Sequence, residues 1–177
     1  MADAALADGT YQLVNAANTA LALDDTDNSY ANVSNVRLWT RNTSNAQIVR
    51  VWTRSDGSRQ LAFAGSGKAI DVTNANFSHG ANVAIYDCND TDAQKWTIVA
   101  VSGKAVTVDS TAYTCWKIYL TKTYGSTSKF LLEVDGTGTP ANGANLCISE
   151  DEGTSTDQMW AFVPLSPVAD GTYVLRS

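Results

Sequence analysis

The sequence predicts an all-β fold made of three copies of one unit, closed about a pseudo-three-fold axis. Three observations predict it. One segment occurs three times along the chain. Each copy ends on a glutamine followed two residues later by a large or branched apolar residue. Strand-forming residues alternate between turn signals at short, regular intervals.

The repeat is read from its ends. With Gln94 placed over Gln47, an offset of 47 residues, "DDTDNSYANVSNVRLWTRNTSNAQIV" (24–49) lies on "DVTNANFSHGANVAIYDCNDTDAQKW" (71–96) without a gap. Asp24 meets Asp71, Asn35 meets Asn82, and Trp39 meets Tyr86. A third copy, "DGTGTPANGANLCISEDEGTSTDQMW" (135–160), ends on Gln158, 64 residues beyond Gln94, with one deletion and one insertion. It puts Asp135 on Asp71 and repeats Asn82 as Asn145.

Each element of a copy has a local cause. "VRLW", "VAIY" and "LCIS" carry apolar residues at alternate positions, the period of a strand with one buried face. "KIYLTK" and "FLLEV" read as further short strands. "SDGS", "SGK" and "DGTG" supply turn residues. Asn35, Asn82 and Asn145 precede strands, where asparagine tolerates left-handed backbone, so a structural role is expected of them. Three small β-lobes, none able to bury its own apolar face, together make a β-trefoil or a related closed barrel.

Gln47-x-Val49, Gln94-x-Trp96 and Gln158-x-Trp160 close the three lobes. Period 2 puts the glutamine and the apolar residue on one strand face. The tryptophan plugs the core, and the buried glutamine amide must be satisfied, most simply by the polar turn before it, "DCNDTDA" in the middle lobe. Val49 is the weak plug. A calcium loop starting at Asp87 fails, because Asp92 stands where the glycine is needed and Ile98 where the closing carboxylate is needed.

These boundaries give a tail or linker over 1–8, lobes at about 9–52, 53–98 and 99–164, and a linker with the possible start of a following domain over 165–177. "ADGTY" occurs at 7–11 and again at 169–173, which reads as a module cut from a tandem array joined by "PLSPVA". The wider spacing to the third copy marks an insertion. It reads as an extra hairpin in the third lobe over 102–130, carrying Trp116, Tyr119 and Tyr124 chiefly for packing.

Composition excludes several functions. A net charge of −6 without any basic run disfavours nucleic acid and anionic surfaces. No apolar stretch reaches the length of a membrane span. Only 17% of residues are charged, leaving a Ser-, Thr-, Asn- and Gly-rich coat common on secreted and cell-surface β-proteins. Three cysteines, Cys88, Cys115 and Cys147, leave at least one thiol unpaired and allow one disulfide. No metal or cofactor motif is present. With no nucleophile or metal signature and one histidine, His79, read as a solvated loop residue, an enzyme is not expected.

The two complete Q-x-W segments and the degenerate Gln47-x-Val49 copy, with "GANVAIYDCNDTDAQKW" and "GANLCISEDEGTSTDQMW" the most characteristic, resemble the ricin-type β-trefoil lectins, bacterial members above all. The resemblance spans about Tyr11 to Pro164. It implies one shallow sugar pocket per lobe. An early aspartate accepts hydrogen bonds from sugar hydroxyls, and an aromatic stacks on the apolar sugar face. A glutamine two residues before that aromatic and an asparagine just before the Q-x-W complete the site. Carried over, it points to Asp71, Tyr86 and the turn residue Asn89 in the middle lobe, and to Asp24, Trp39 and Arg37 in the first. Ala84 and Ala93 replace the middle lobe's glutamine and asparagine, and Arg37 and Ala46 the first lobe's. In the third lobe Asp135 remains, but Cys147, Ser149 and Asp157 replace the rest, so that site reads as lost. Ala69 stands where Cys88's usual in-lobe disulfide partner would be.

Asp24 and Asp71 could cap turns, and Trp39 and Tyr86 could be strand residues packed on neighbours. The expectation is a non-catalytic carbohydrate-binding module of a larger secreted or cell-surface bacterial protein. It would bind glycans weakly and multivalently beside neighbouring domains of its chain. The alternative is a degenerate trefoil acting as a spacer or protein-binding module.

Overall fold

The computed structural model of the protein describes residues 5–165. The second "ADGTY" and nearly all of the expected linker lie outside the described residues.

Six strands close a barrel. They are β1 (Gly9–Asn15), β4 (Val49–Thr53), β5 (Arg59–Phe63), β8 (Trp96–Val108), β9 (Thr111–Leu120) and β12 (Trp160–Pro164). β1 pairs with β4, β4 with β5, β5 with β8, β8 with β9, β9 with β12 and β12 with β1, all antiparallel. The ring therefore has no free edge of its own. Three hairpins cover one end: β2 (Leu21–Asp25) with β3 (Val36–Thr40), β6 (Ala69–Val72) with β7 (Ala81–Tyr86), and β10 (Phe130–Val134) with β11 (Leu146–Glu150). This is the β-trefoil, with lobes β1–β4, β5–β8 and β9–β12.

One core serves all three lobes. The alternate residues Val36, Leu38, Val83, Ile85, Leu146 and Ile148 are fully buried in it. Trp96 and Trp160 are also fully buried, and their indole N–H groups donate to the carbonyls of Ile70 and Leu132, each at 3.2 Å. Val49 fills the third equivalent place without a donor.

The three asparagines are structural for a different reason than the one expected. None has a positive φ; that conformation falls two residues earlier, at Val33, Gly80 and Gly143. Their amides close a ring across the lobes. Asn35 Nδ2 donates to Asn145 Oδ1 (2.8 Å), Asn145 Nδ2 to Asn82 Oδ1 (2.9 Å), and Asn82 Nδ2 to Asn35 Oδ1 (3.0 Å). Each half-buried amide is thus satisfied by its counterpart where the three hairpins meet.

The insertion lengthens the β8–β9 hairpin, which joins the middle lobe to the third, so it is not confined to the third lobe. Its tip is the two-residue turn Asp109-Ser110, both at positive φ, the geometry a tight twisted hairpin favours. "SGK" at 66–68 lies in the tight connection between β5 and β6, whereas the same three residues at 102–104 are part of a bulge in which residues 101–104 oppose Cys115 alone. Val108 is buried against Val14, Ala22 and Ala161. Arg41 binds Asp109 through both guanidinium NH2 groups at 3.1 and 2.6 Å. Trp116 meets Phe162 edge-on, and Tyr119 donates to Asp151. These residues pack the hairpin onto the barrel. Tyr124 lies beyond it, exposed in a one-turn helix over Thr121–Tyr124.

Candidate functional site

The same hydrogen-bonded core underlies each lobe's site. A fully buried glutamine stands at its centre and accepts one N–H from the preceding turn: Gln47 from Asn42 (2.9 Å), Gln94 from Asn89 (3.1 Å) and Gln158 from Glu152 (3.0 Å). Its amide nitrogen donates to a turn carbonyl, that of Thr40 (3.0 Å), Asp87 (2.9 Å) or Glu150 (2.7 Å). The same nitrogen reaches a buried carboxylate: Asp24 at 3.2 Å, Asp71 at 2.9 Å, and Glu133. The expectation that the turn satisfies the glutamine holds, and the carboxylate is the further partner.

The third lobe's carboxylate is therefore Glu133, not Asp135. Asp24 faces Arg37 in the strand register, Asp71 faces Ala84, and Glu133 faces Cys147. Asp135 is exposed in the loop after β10. The gap in the third copy, taken up at "DGTG", displaced the alignment by two residues. The signal that finds Glu133 is the strand itself: "ALD", "AID" and "LLE" each end an apolar pair with an acid.

In the middle lobe this core opens onto a cleft of about 240 Å³. Asp71 forms its floor. It is 93% buried, and burial pushes its carboxyl above the usual range while the bond from Gln94 opposes the shift. Only Oδ2 is used, by Gln94; among the described residues no donor binds Oδ1. Tyr86 stands at the rim, over a third exposed. Asn89 borders the cleft with its Oδ1 already accepting from the Thr91 N–H (3.2 Å) and hydroxyl (2.8 Å), which leaves its amide N–H2 group. Ala84 and Ala93 sit on the wall where the resemblance would have a glutamine and an asparagine, so their shortness keeps the carboxylate reachable. Val33, from the first lobe, completes the rim and was not singled out in the sequence.

The first lobe has the same parts in another state. Arg37 occupies the place of Ala84. Its Nε donates to Asp24 Oδ1 at 3.0 Å, and its guanidinium carbon lies 3.9 Å from the centre of the Trp39 ring. With Gln47 on Oδ2, both oxygens of Asp24 are taken and the aromatic face is covered. Burial raises the Asp24 carboxyl, with Gln47 and Arg37 opposing. In the third lobe, Ser149 replaces the aromatic, is almost fully buried, and lies 3.0 Å from His79 Nδ1. His79 is exposed, as expected, but it is held by that contact. Cys147, two residues before Ser149 on the same strand, is buried, and burial, with Asp135 and Glu133 nearby, pushes its thiol up to about 12. All three cysteines are free, so the one possible disulfide is not formed.

The family model for the ricin-type β-trefoil lectin domain matches residues 9–124. No curated protein matches the sequence. Among solved structures, the designed three-fold symmetric protein ThreeFoil is 29% identical. It superposes with a TM-score of 0.75 over 89% of this chain and 100% of its own. The exo-β-1,3-galactanase 1,3Gal43A of Clostridium thermocellum is 24% identical with a TM-score of 0.70, covering 89% of this chain and 30% of that enzyme. The Macrolepiota procera ricin B-like lectin, solved with lactose, is 14% identical with a TM-score of 0.69, over 92% of this chain and 100% of the lectin. The three-lobed barrel, the glutamine-centred cores and the family match lead to one conclusion: the chain belongs to the ricin-type β-trefoil lectin domain family, a family of carbohydrate-binding modules.

Proposed function

We propose that this domain binds a hexose unit of a glycan in the middle-lobe cleft, without catalysis. One observation carries the reading: Asp71 is held from below by Gln94 and keeps Oδ1 free at the base of an open cleft beside Tyr86. A carboxylate oxygen accepts from a sugar hydroxyl, and a flat ring buries sugar C–H surface at little entropic cost. Asn89 offers an amide donor to a second hydroxyl. The first-lobe cleft, filled by Arg37, and the third, without an aromatic, are then secondary. One small, open site implies weak binding, strengthened when domains are linked. A larger secreted or cell-surface protein, of the bacterial kind that the sequence resembles, fits such a role, and so does the 30% share that the matched region takes of 1,3Gal43A.

A second reading has its own support. Arg37 over Trp39 and Ser149 in place of an aromatic are what loss of sugar binding would leave, in a domain kept as a spacer or protein-binding module. Glycan-array and calorimetric measurements on the wild type and Asp71→Asn separate the two. Sugar binding lost in the variant supports the first reading. A folded wild type that binds no glycan supports the second.

A further inference from the structure

Val33 stands at a backbone position that rejects its residue type. Its φ is +69°, in the left-handed region where a β-branched side chain is strained. The equivalent positions in the other lobes are glycines, Gly80 at φ +78° and Gly143 at +87°. All three make the same bond. The N–H groups of Val33, Gly80 and Gly143 donate to the carbonyls of Ile85, Ile148 and Leu38, each at 2.8 Å. The fold thus needs the backbone conformation, and glycine supplies it without strain.

Packing does not repay the strain. Val33 is 56% exposed as a residue, so it contributes little to the core. What it borders is the middle-lobe cleft, which Tyr86 also lines, and its N–H is bonded to the carbonyl of Ile85, the residue before Tyr86. The first lobe shows how near this position is to a platform: a Cβ at Gly143 would lie 3.7 Å from Trp39 Cζ3. At Gly80, beside the lobe whose platform is Ser149, a Cβ would meet nothing within 4 Å. The strained apolar side chain thus occurs at the one of the three clefts that combines a free carboxylate oxygen with an aromatic. Strain kept beside a site without a packing reward points to the site.

Resting on the reading that this cleft holds a sugar, we infer that Val33 is a specificity residue, selecting a hexose that carries a methyl group, either an acetamido or a 6-deoxy substituent. Asp71 takes hydroxyls at one end of the cleft. Val33, whose side chain lines the same cleft, presents an apolar surface to the methyl. Burial of one methyl corresponds to roughly a threefold to tenfold gain in affinity.

The test titrates galactose, glucose and mannose, each beside its 2-acetamido and 6-deoxy derivatives, into wild type, Val33→Gly and Val33→Asn, followed by NMR shifts. Glycine stands at two equivalent positions, and asparagine tolerates left-handed backbone, so both variants keep the fold; thermal unfolding checks this. The expected result is a preference of wild type for at least one methyl-bearing derivative over its parent. Both variants bring the derivative-to-parent affinity ratio down to about one, and the derivative preferred by wild type tells the acetamido source from the 6-deoxy one. Wild type binding parents and derivatives alike overturns this inference and leaves the proposed function standing. A variant that weakens both alike also overturns it, since Val33 would then act only on the fold. Binding of none of the sugars overturns both.

Discussion

Gln94 Nε2 lies 2.9 Å from Asp71 Oδ2, so the residue that seals the middle lobe also aims its carboxylate. Under the proposed function, stability and binding would be coupled through this amide. Gln94→Ala would leave the Asp71 carboxylate, the Asn89 N–H and the Asp87 carbonyl without their partner. Unsatisfied buried groups cost about 1–3 kcal/mol each and do not add fully. Chemical denaturation is expected to show a loss of about 3 kcal/mol, with weaker sugar binding in whatever fraction stays folded.

In the proposed site, Asp71 would set the pH dependence of binding. Burial raises its carboxyl above 3.8 in the folded state, opposed by the Gln94 bond. The ionised form is the acceptor for sugar hydroxyls. Binding is therefore expected to be full at neutral pH and to fall as pH drops, starting above the range of an exposed aspartate. Calorimetric titration across pH 7 to 4 checks this. Asp71→Asn removes the free anionic acceptor but preserves the contact with Gln94. Binding should fall at least roughly tenfold while stability stays within about 1 kcal/mol.

Arg37 and Ala84 form a natural exchange, because they hold the same register position opposite Asp24 and Asp71. Ala84→Arg should close the middle cleft as Arg37 closes the first, abolishing binding in a folded protein. Arg37→Ala should free Asp24 Oδ1 and the Trp39 face, and so add a second binding event. Stoichiometry from titration reads both. Arg37→Ala should also lower stability by about 1–3 kcal/mol, because it leaves a buried carboxylate with a poorer partner.

Asp25 makes a separate prediction. It is fully buried where Val72 and Val134 stand in the other lobes, and neither carboxylate oxygen meets a donor in hydrogen-bond geometry. Burial raises it to about 6, with the Ser29 amide and Ser66 hydroxyl opposing. A folded value above the unfolded one favours the protonated state. Its contribution is therefore full below pH 3.8 and is lost as pH rises through about 6. Asp25→Val should raise stability at pH 7.5 on the order of 2 kcal/mol and by much less at pH 4. Thermal unfolding of both proteins across that range isolates the difference.

Much of the architecture was legible because symmetry wrote it three times. The recurring glutamines, the alternate apolar residues of "VRLW", "VAIY" and "LCIS", and Trp96 and Trp160 all lie where a closed trefoil needs them. The errors share a cause. Asp135 for Glu133, and an insertion confined to the third lobe, both fell in the third copy or the insertion, where gaps uncouple the alignment from strand register. The asparagine ring was invisible because its bonds join three distant segments. Arg37 over Trp39, and Val33 at the middle cleft, depend on side chains meeting across strands or lobes, which no local pattern records.

The most direct measurement is the map of backbone NMR shifts as a panel of hexoses and their derivatives is titrated into the isotope-labelled domain. The account predicts saturable shifts clustered on Asp71, Ala84, Tyr86 and Asn89, with the corresponding first-lobe residues Asp24, Arg37 and Trp39 unmoved. A folded domain with no shifts for any sugar, or with shifts centred on the first or third lobe, would contradict it.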